Sequence, residues 1–376
     1  MTTLEQFRAG FSEEPGFLDY ASYGPFSRAV VAESDWQREL VSRSRFGSMT
    51  PLAEQDDRAA TALAGLLGFR SDQVVLQPDS SIGAMQAVFG LTGPVLLSRA
   101  EYPSLTFAAV RAEQSLSVTA PIWLDTDHGR VTPGGLRDQL TSTAVAVAVS
   151  LVDPRTGYLV DIDGIRQVIG DRLLLVDVVQ GLGVTDAPLH LADVVIGGGQ
   201  TWLRAGWGTG FLALSDRAVD QLTPVFSGYR GSEAGGRFPW DDVPAPARAA
   251  SAFRVTGVDP LAAARLAAAV EEVAEVGVGE ISRAVEERVD RLLELADRFA
   301  IPVVSPRAPS ERAGIVVLEP ASDQVAGLTA SLHNYGITAS EHDGRIRLSA
   351  HAGTDDETFT LLKAALTSFA AARRIR

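Results

Sequence analysis

The sequence predicts an α/β protein: a large, mainly parallel sheet with helices on both faces, followed by a smaller C-terminal α/β lobe. Three observations carry this reading. From about residue 55 helix-length and strand-length segments alternate, the order that a helix-covered parallel sheet requires. Runs such as Ala144–Val149 are continuously apolar, as strands buried on both faces are. Finally, Trp240-Asp241-Asp242-Val243-Pro244-Ala245-Pro246 breaks any regular element, and a second set of helices and strands follows it. The divisions are an N-terminal arm over 1–50 that contributes to the small lobe, a large domain over 51–250, and a small domain over 251–376.

The elements follow in order. Phe17–Pro25 reads as a short strand running into turn chemistry. Asp57–Leu67 is alanine- and leucine-rich with helical spacing, Val74–Leu76 is a short β-branched run, and Ala84–Leu91 is helical again. Val95–Leu97, Ala144–Val149, Leu173–Val176, Val194–Ile196 and Phe211–Leu214 are strands bounded by Gly, Pro, Asp or Ser. Pro260–Gly277 and Gly279–Ala300 are helices; in the second, Ile281, Val285, Val289, Leu292 and Ala296 recur at spacings of three and four. Strands Ile315–Leu318 and Arg345–Leu348 enclose a helix over Asp323–Tyr335. Thr354 is expected to cap the last helix, whose first turn carries Asp355, Asp356 and Glu357.

Composition narrows the function classes. Of 376 residues, 46% are hydrophobic and 21% charged, which fits an ordinary globular chain and excludes a disordered or collagen-like one. No run reaches the roughly 18 apolar residues of a membrane helix. Met1–Gly10 has no apolar core for a signal peptide, so the expected location is the cytoplasm. With no cysteine, disulfides, thiolate metal sites and a cysteine nucleophile are excluded, and no metal site is expected. A net charge of −14 opposes binding to a phosphate backbone, so neither nucleic acid nor membrane is an expected partner. Only one of the 33 basic residues is lysine: Lys363, on the face of the last helix.

Three strand ends carry groups suited to chemistry, because α/β sheets bind ligands beyond the carboxyl ends of their strands. At Gln77-Pro78-Asp79-Ser80-Ser81-Ile82 two hydroxyls meet a helix N-terminus, which makes either an anion site or a plain N-cap by Ser80. After Leu173–Val176, Asp177 is followed three residues later by Gln180; a carboxylate and an amide so placed suit a protonated ring nitrogen and a neighbouring oxygen. The third is Gly197-Gly198-Gly199-Gln200-Thr201-Trp202-Leu203, whose glycines imply close backbone approach and match neither a Walker loop nor a dinucleotide fingerprint.

Taken in order, these segments resemble the class V aminotransferase family, which includes cysteine desulfurases, selenocysteine lyases, kynureninases and isopenicillin N epimerase-like proteins. The resemblance implies the fold-type I architecture of pyridoxal-phosphate enzymes. It assigns Asp177 to the pyridine nitrogen, Gln180 to the ring hydroxyl and Tyr102, in Glu101-Tyr102-Pro103-Ser104, to the ring face. Ser80 and Ser81 would lie near the phosphate. Arg347, in Arg345-Ile346-Arg347-Leu348-Ser349, would grip a substrate carboxylate.

The departures from the family pattern are informative. The family's lysine position, just before Trp-Leu, is Thr201, and a hydroxyl can neither form an imine nor act as an amine base. Gln200 stands where relatives have His, Tyr or Arg, Gly198 and Ile82 where they have hydroxyls, and Asp153-Pro154 where they often offer an asparagine. His351 is the histidine nearest the expected pocket and the candidate replacement base. The expectation is therefore a class V aminotransferase-like protein that acts on or binds an amino acid or related carboxylate. It would hold pyridoxal phosphate or pyridoxamine phosphate noncovalently, or no cofactor, with altered or lost catalysis. The alternative is a non-catalytic relative that binds a carboxylate metabolite or a protein. A homodimer is expected in either case, with Phe226–Gly231 a candidate loop for the partner's site.

Overall fold

The β-branched and leucine-rich runs between residues 74 and 214 build one sheet. The computed structural model describes residues 3–43, 47, 49–235 and 237–373. Parts of the arm, of the interdomain loop and of both chain ends, including the Met1–Thr2 start of the segment read for a signal peptide, lie outside the described residues. The sheet contains β1 (Val74–Gln77), β2 (Val95–Ser98), β3 (Pro121–Leu124), β4 (Ala146–Ser150), β5 (Leu173–Asp177), β6 (Val194–Gly198) and β7 (Gly210–Leu214). Its order is β1-β7-β6-β5-β4-β2-β3, and only β7 runs antiparallel to its neighbours. Every residue of β1, β2, β5, β6 and β7 is buried, which is why their sequences lack alternation. The edge strand β3 is half-exposed and opens on Pro121, a residue an edge tolerates.

The helices, in chain order, are α1 (Leu4–Ala9), α2 (Arg28–Arg43), α3 (Met49–Ala53), α4 (Gln55–Leu67), α5 (Ser80–Phe89), α6 (Pro103–Leu116), α7 (Pro133–Gln139), α8 (Ile162–Ile169), α9 (Asp216–Gln221), α10 (Pro260–Val276), α11 (Val278–Arg298), α12 (Val325–Asn334) and α13 (Asp356–Arg373). The glycine and alanines of α5 let it sit close on β6, β7 and α6. The alanine-rich face of α10 lies along α4 and α2, so this helix bridges the arm and the large sheet. A second sheet of β8 (Ile315–Leu318), β9 (Ser340–His342) and β10 (Arg345–Ser349) has the order β8-β10-β9 and is antiparallel throughout. The arm joins it through bridges Phe17–Thr338 and Asp19–Ser349. This large mainly parallel sheet plus a small lobe is the predicted α/β architecture.

Two helix starts differ from the sequence reading in the same way. Asp79 rather than Ser80 caps α5, its Oδ1 accepting from Ile82 N–H at 2.9 Å. At α13 it is the Asp355 carboxylate that accepts from Thr358 N–H (2.8 Å), while Thr354 Oγ1 accepts from His351 N–H (3.0 Å). In both places the carboxylate one residue away outcompetes the hydroxyl for the orphan N–H, favoured by the helix dipole. Helices α1–α3 and α6–α9 and strands β3 and β9 go beyond the elements placed from sequence. No helix among the described residues is long and apolar enough to cross a membrane.

Candidate functional site

The strand ends singled out in the sequence converge. A cavity of about 400 Å³ opens beyond the carboxyl ends of β1, β4, β5 and β6 and is closed from the other side by the arm and the small sheet. Ser80, Ser81, Tyr102, Asp177, Gln180, Gln200, Thr201 and Arg347 all line it; His351 does not.

Asp177 ends β5 and is 4% exposed. Its Oδ1 accepts from Val179 N–H at 2.9 Å, and among the described residues no cationic side chain pairs with it. Burial pushes its carboxyl up to about 6, against the pull of the Val179 N–H. Beside it in register on β4 is Ser150, whose Oγ is buried. Ser150 N–H donates to Glu101 Oε2 at 2.8 Å. Burial pushes Glu101 up to about 7, opposed by the neighbouring Ser150 hydroxyl and N–H and reinforced by the charges of Asp153 and Asp177. Asp153 has a cation of its own in Arg155, at 3.2 Å. Sequence reasoning misses Glu101, because a glutamate before an aromatic carries no local signal of burial.

Gln180 is committed at both ends of its amide: Nε2 donates to Ala21 O (2.9 Å) and Oε1 accepts from Trp202 Nε1 (3.0 Å). It fixes the arm to the loop after β6. Thr201, 2% exposed, donates its Oγ1–H to Val179 O at 2.9 Å. Gly24 lies against this loop so closely that a Cβ there would stand 1.9 Å from Thr201 O. Gln200 folds its amide back over Gly198, where an added Cβ would meet Oε1 at 2.4 Å; the absence of a side chain at 198 and the glutamine at 200 are therefore one packing solution. Ser81 Oγ pairs with Ser104 Oγ at 2.7 Å, and Tyr102, 46% exposed, forms part of the rim.

Arg347 approaches from β10. Its Nη2 donates to Ser22 Oγ (2.7 Å) and Ser340 Oγ (3.3 Å), Nη1 donates to Pro154 O (3.3 Å), and Asp19 lies 3.7 Å away. Its guanidinium is thus preorganised at the cavity wall and partly matched by one carboxylate.

His351 is corrected from candidate base to core residue. It is 1% exposed and packed among Phe7, Phe11, Tyr20 and Trp202. Its Nδ1 accepts from Ala352 N–H at 2.8 Å, so the ring proton sits on Nε2 and is donated to Trp202 O at 3.0 Å. Burial and the nearby Arg204 charge push it down to about 3, leaving the ring neutral. The only lysine, Lys363, lies on α13 in a separate surface groove with Arg291, Glu294 and Arg298.

The lining residues match the phosphorylated pyridine that the sequence resemblance implies at some points and not at others. At the ring-nitrogen end they fit: Asp177 is an unmatched buried carboxylate facing the cavity. At the far end Ser80 and Ser81 offer hydroxyls, although the Asp79 carboxylate already occupies the helix cap. At the aldehyde end there is no amine. The site fits the group as a noncovalent guest and does not fit it as an adduct on a protein lysine.

Comparisons with known proteins agree with this fold. A family model described as Aminotransferase class-V matches residues 82–342. Among curated proteins the chain finds no match. The apo cysteine desulfurase of Thermococcus onnurineus NA1 is similar in structure with a TM-score of 0.86 at 18% identity, covering 99% of each chain. The cystine C-S lyase C-DES with its product cysteine persulfide has a TM-score of 0.83 at 17% identity, covering 94% of this chain and 97% of that one. A C-DES variant with one lysine replaced by alanine, carrying glycine covalently linked to the pyridoxal-phosphate cofactor, has a TM-score of 0.83 at 17% identity, covering 97% and 99%.

Proposed function

Because the chain belongs to the class V aminotransferase family, we propose that it uses this cavity to bind an amino acid or related carboxylate, with pyridoxal phosphate or pyridoxamine phosphate held noncovalently at most and the family's lysine-dependent chemistry altered or lost. The observation that carries this is the sharing of one cavity by Arg347, Asp177 and Thr201, with the Thr201 hydroxyl turned onto Val179 O. The C-DES variant supports it by example, since that protein keeps cofactor and glycine together with one lysine replaced.

Bound here, the group would supply an electron-withdrawing ring. Asp177 would keep the ring nitrogen protonated, Tyr102 would cover one face, and Ser80 and Ser81 would face the phosphate. Arg347 would orient the carboxylate. No amine base stands ready to move a proton at Cα, and loss of a positioned general base lowers rate by about 10²–10⁴-fold. The direct test is titration with each cofactor form, read by visible absorption and by calorimetry. Saturable binding without a borohydride-reducible link to protein is expected; absence of any binding removes the cofactor part of the proposal.

The expected homodimer has support of its own. Tyr229, Phe238 and Trp240 stack in a row on the surface, with Trp240 84% exposed, and Phe226 is also open to solvent. Such a row suits a second copy of the chain, and a homodimer in which this loop reaches the partner is part of the proposal. Sedimentation of the wild type against Phe238→Ser/Trp240→Ser tests it; a monomeric wild type would remove it.

A further inference from the structure

The imidazole that reaches the cavity is not the one the sequence singles out. His342, the last residue of β9, is among the residues that line it. Successive residues of a strand face opposite ways, and β9 follows that rule. Ser340 meets Arg347 and Asp19 through its Oγ. Glu341 turns to the other face and accepts from Thr329 Oγ1 of α12 at 2.9 Å. His342 returns to the face of Ser340, opposite Arg345 on β10, whose guanidinium is taken up by Glu319 Oε1 at 2.6 and 2.9 Å. Tyr102 and Asp177 line the same cavity, and Asp343 follows in the turn to β10. The ring nitrogens of His342 make no hydrogen bond or ion pair among the described residues. Gln180, Thr201 and Arg347, by contrast, spend polar atoms on the protein itself.

Resting on the reading of this cavity as the ligand site, we propose that His342 recognises the ligand's α-amino group, so that the ligand class is an α-amino acid and not a plain carboxylate. With the carboxylate on Arg347, the ammonium stands one carbon further on. His342 starts about 7 Å along the strand from Ser340, the residue opposite Arg347, so its ring spans the remaining gap. A neutral imidazole carries one nitrogen without a proton, and the ammonium N–H donates to it. Once protonated, the ring has donors at both nitrogens and a positive charge, and it repels the same ammonium. A plain carboxylate has nothing to lose by that change. Acid therefore weakens the amine-bearing ligand and spares its analogue without the amine.

The experiment is calorimetry on the full chain with L-alanine and with propionate, which lacks only the amino group, at pH 8 and pH 5.5. At pH 8 alanine is expected to bind about tenfold or more tightly than propionate, the range of a hydrogen bond to a charged group. On acidification alanine should lose about tenfold in affinity, while propionate holds or gains. His342→Phe should remove the preference for alanine, and His342→Gln, which cannot ionise, should remove the acid loss. Circular dichroism of each variant confirms folding. Asp177, pushed up to about 6 by burial, titrates in the same window, and any smaller pH effect left in His342→Gln belongs to it. An acid loss undiminished in His342→Gln overturns the proposal, as does a preference for alanine that survives His342→Phe. Equal binding of propionate and alanine overturns this inference alone and leaves the carboxylate reading of the cavity standing; binding of neither ligand overturns both.

Discussion

Asp177→Asn should make the protein more stable above neutral pH, although it removes the residue on which ligand binding depends. Burial raises this carboxyl from its ordinary 3.8 to about 6 in the folded chain. The folded state therefore holds the proton more tightly than the unfolded state does. Folding is unpenalised below about pH 4, loses stability as pH rises from about 4 to 6, and carries the whole penalty above that window. At about 1.4 kcal/mol per unit, a shift of about two units corresponds to about 3 kcal/mol. Asparagine keeps an oxygen for Val179 N–H and never ionises, so it escapes the penalty. Urea unfolding of wild type and variant, followed by tryptophan fluorescence at pH 4 and pH 8, reads the difference. The variant is expected to gain about 2–3 kcal/mol at pH 8 and little at pH 4. A variant less stable than wild type at pH 8, or a gain equal at both pH values, would refute the reasoning. It would mean that an unseen cation already neutralises Asp177 or that the carboxylate is solvated.

Other consequences can be checked more briefly. Thr201→Lys places an amine at the end of the cavity, and with pyridoxal phosphate it should yield a borohydride-reducible covalent adduct by mass spectrometry that wild type does not give. The imidazole protons of His351 should not shift between pH 5 and 8 in NMR spectra, since burial and Arg204 hold the ring neutral down to about pH 3; a titration midpoint near 6.5 would contradict its core placement. Asp193→Ala should cost about 3–5 kcal/mol in denaturant unfolding, because it strands the Arg166 and Arg217 guanidiniums that its buried carboxylate joins to Leu174 N–H. Gly24→Ala should destabilise the arm and the Thr201 loop together, given the 1.9 Å approach to Thr201 O, and faster proteolysis of the arm would report it.

Much of the fold was legible because burial on both faces leaves a direct trace in sequence. Strands β4 to β7 are continuous apolar runs with breakers at their ends, and α11 shows its apolar stripe at helical spacing. Edge strand β3 was harder to read, since its half-buried residues dilute the period, whereas α8 carries Ile162, Ile165 and Ile169 at helical spacing, a local signal that could have found it. Ser80, Ser81, Asp177, Gln180, Gln200 and Thr201 were legible as polar groups at strand ends and Tyr102 and Arg347 through the family resemblance, and all of these line the cavity while His351 does not. His351 was misleading because proximity in sequence to Arg347 says nothing about which side of β10 a loop turns to; the aromatic residues of the arm claim it.

By itself the sequence determined the chemistry that is missing: one lysine in the chain, none before Trp202, and no thiol anywhere. It also determined the strand pattern, because period and apolar content are local properties. Only the tertiary structure decided which charges go unmatched. That no cation reaches Asp177, and that Asp19 reaches Arg347 from more than three hundred residues away in the chain, depends on strand register and on the arm's docking. Neighbouring pairs such as Asp153 with Arg155 lie close in the sequence, but pairing between distant segments is a matter of distance in space that no local pattern of residues encodes.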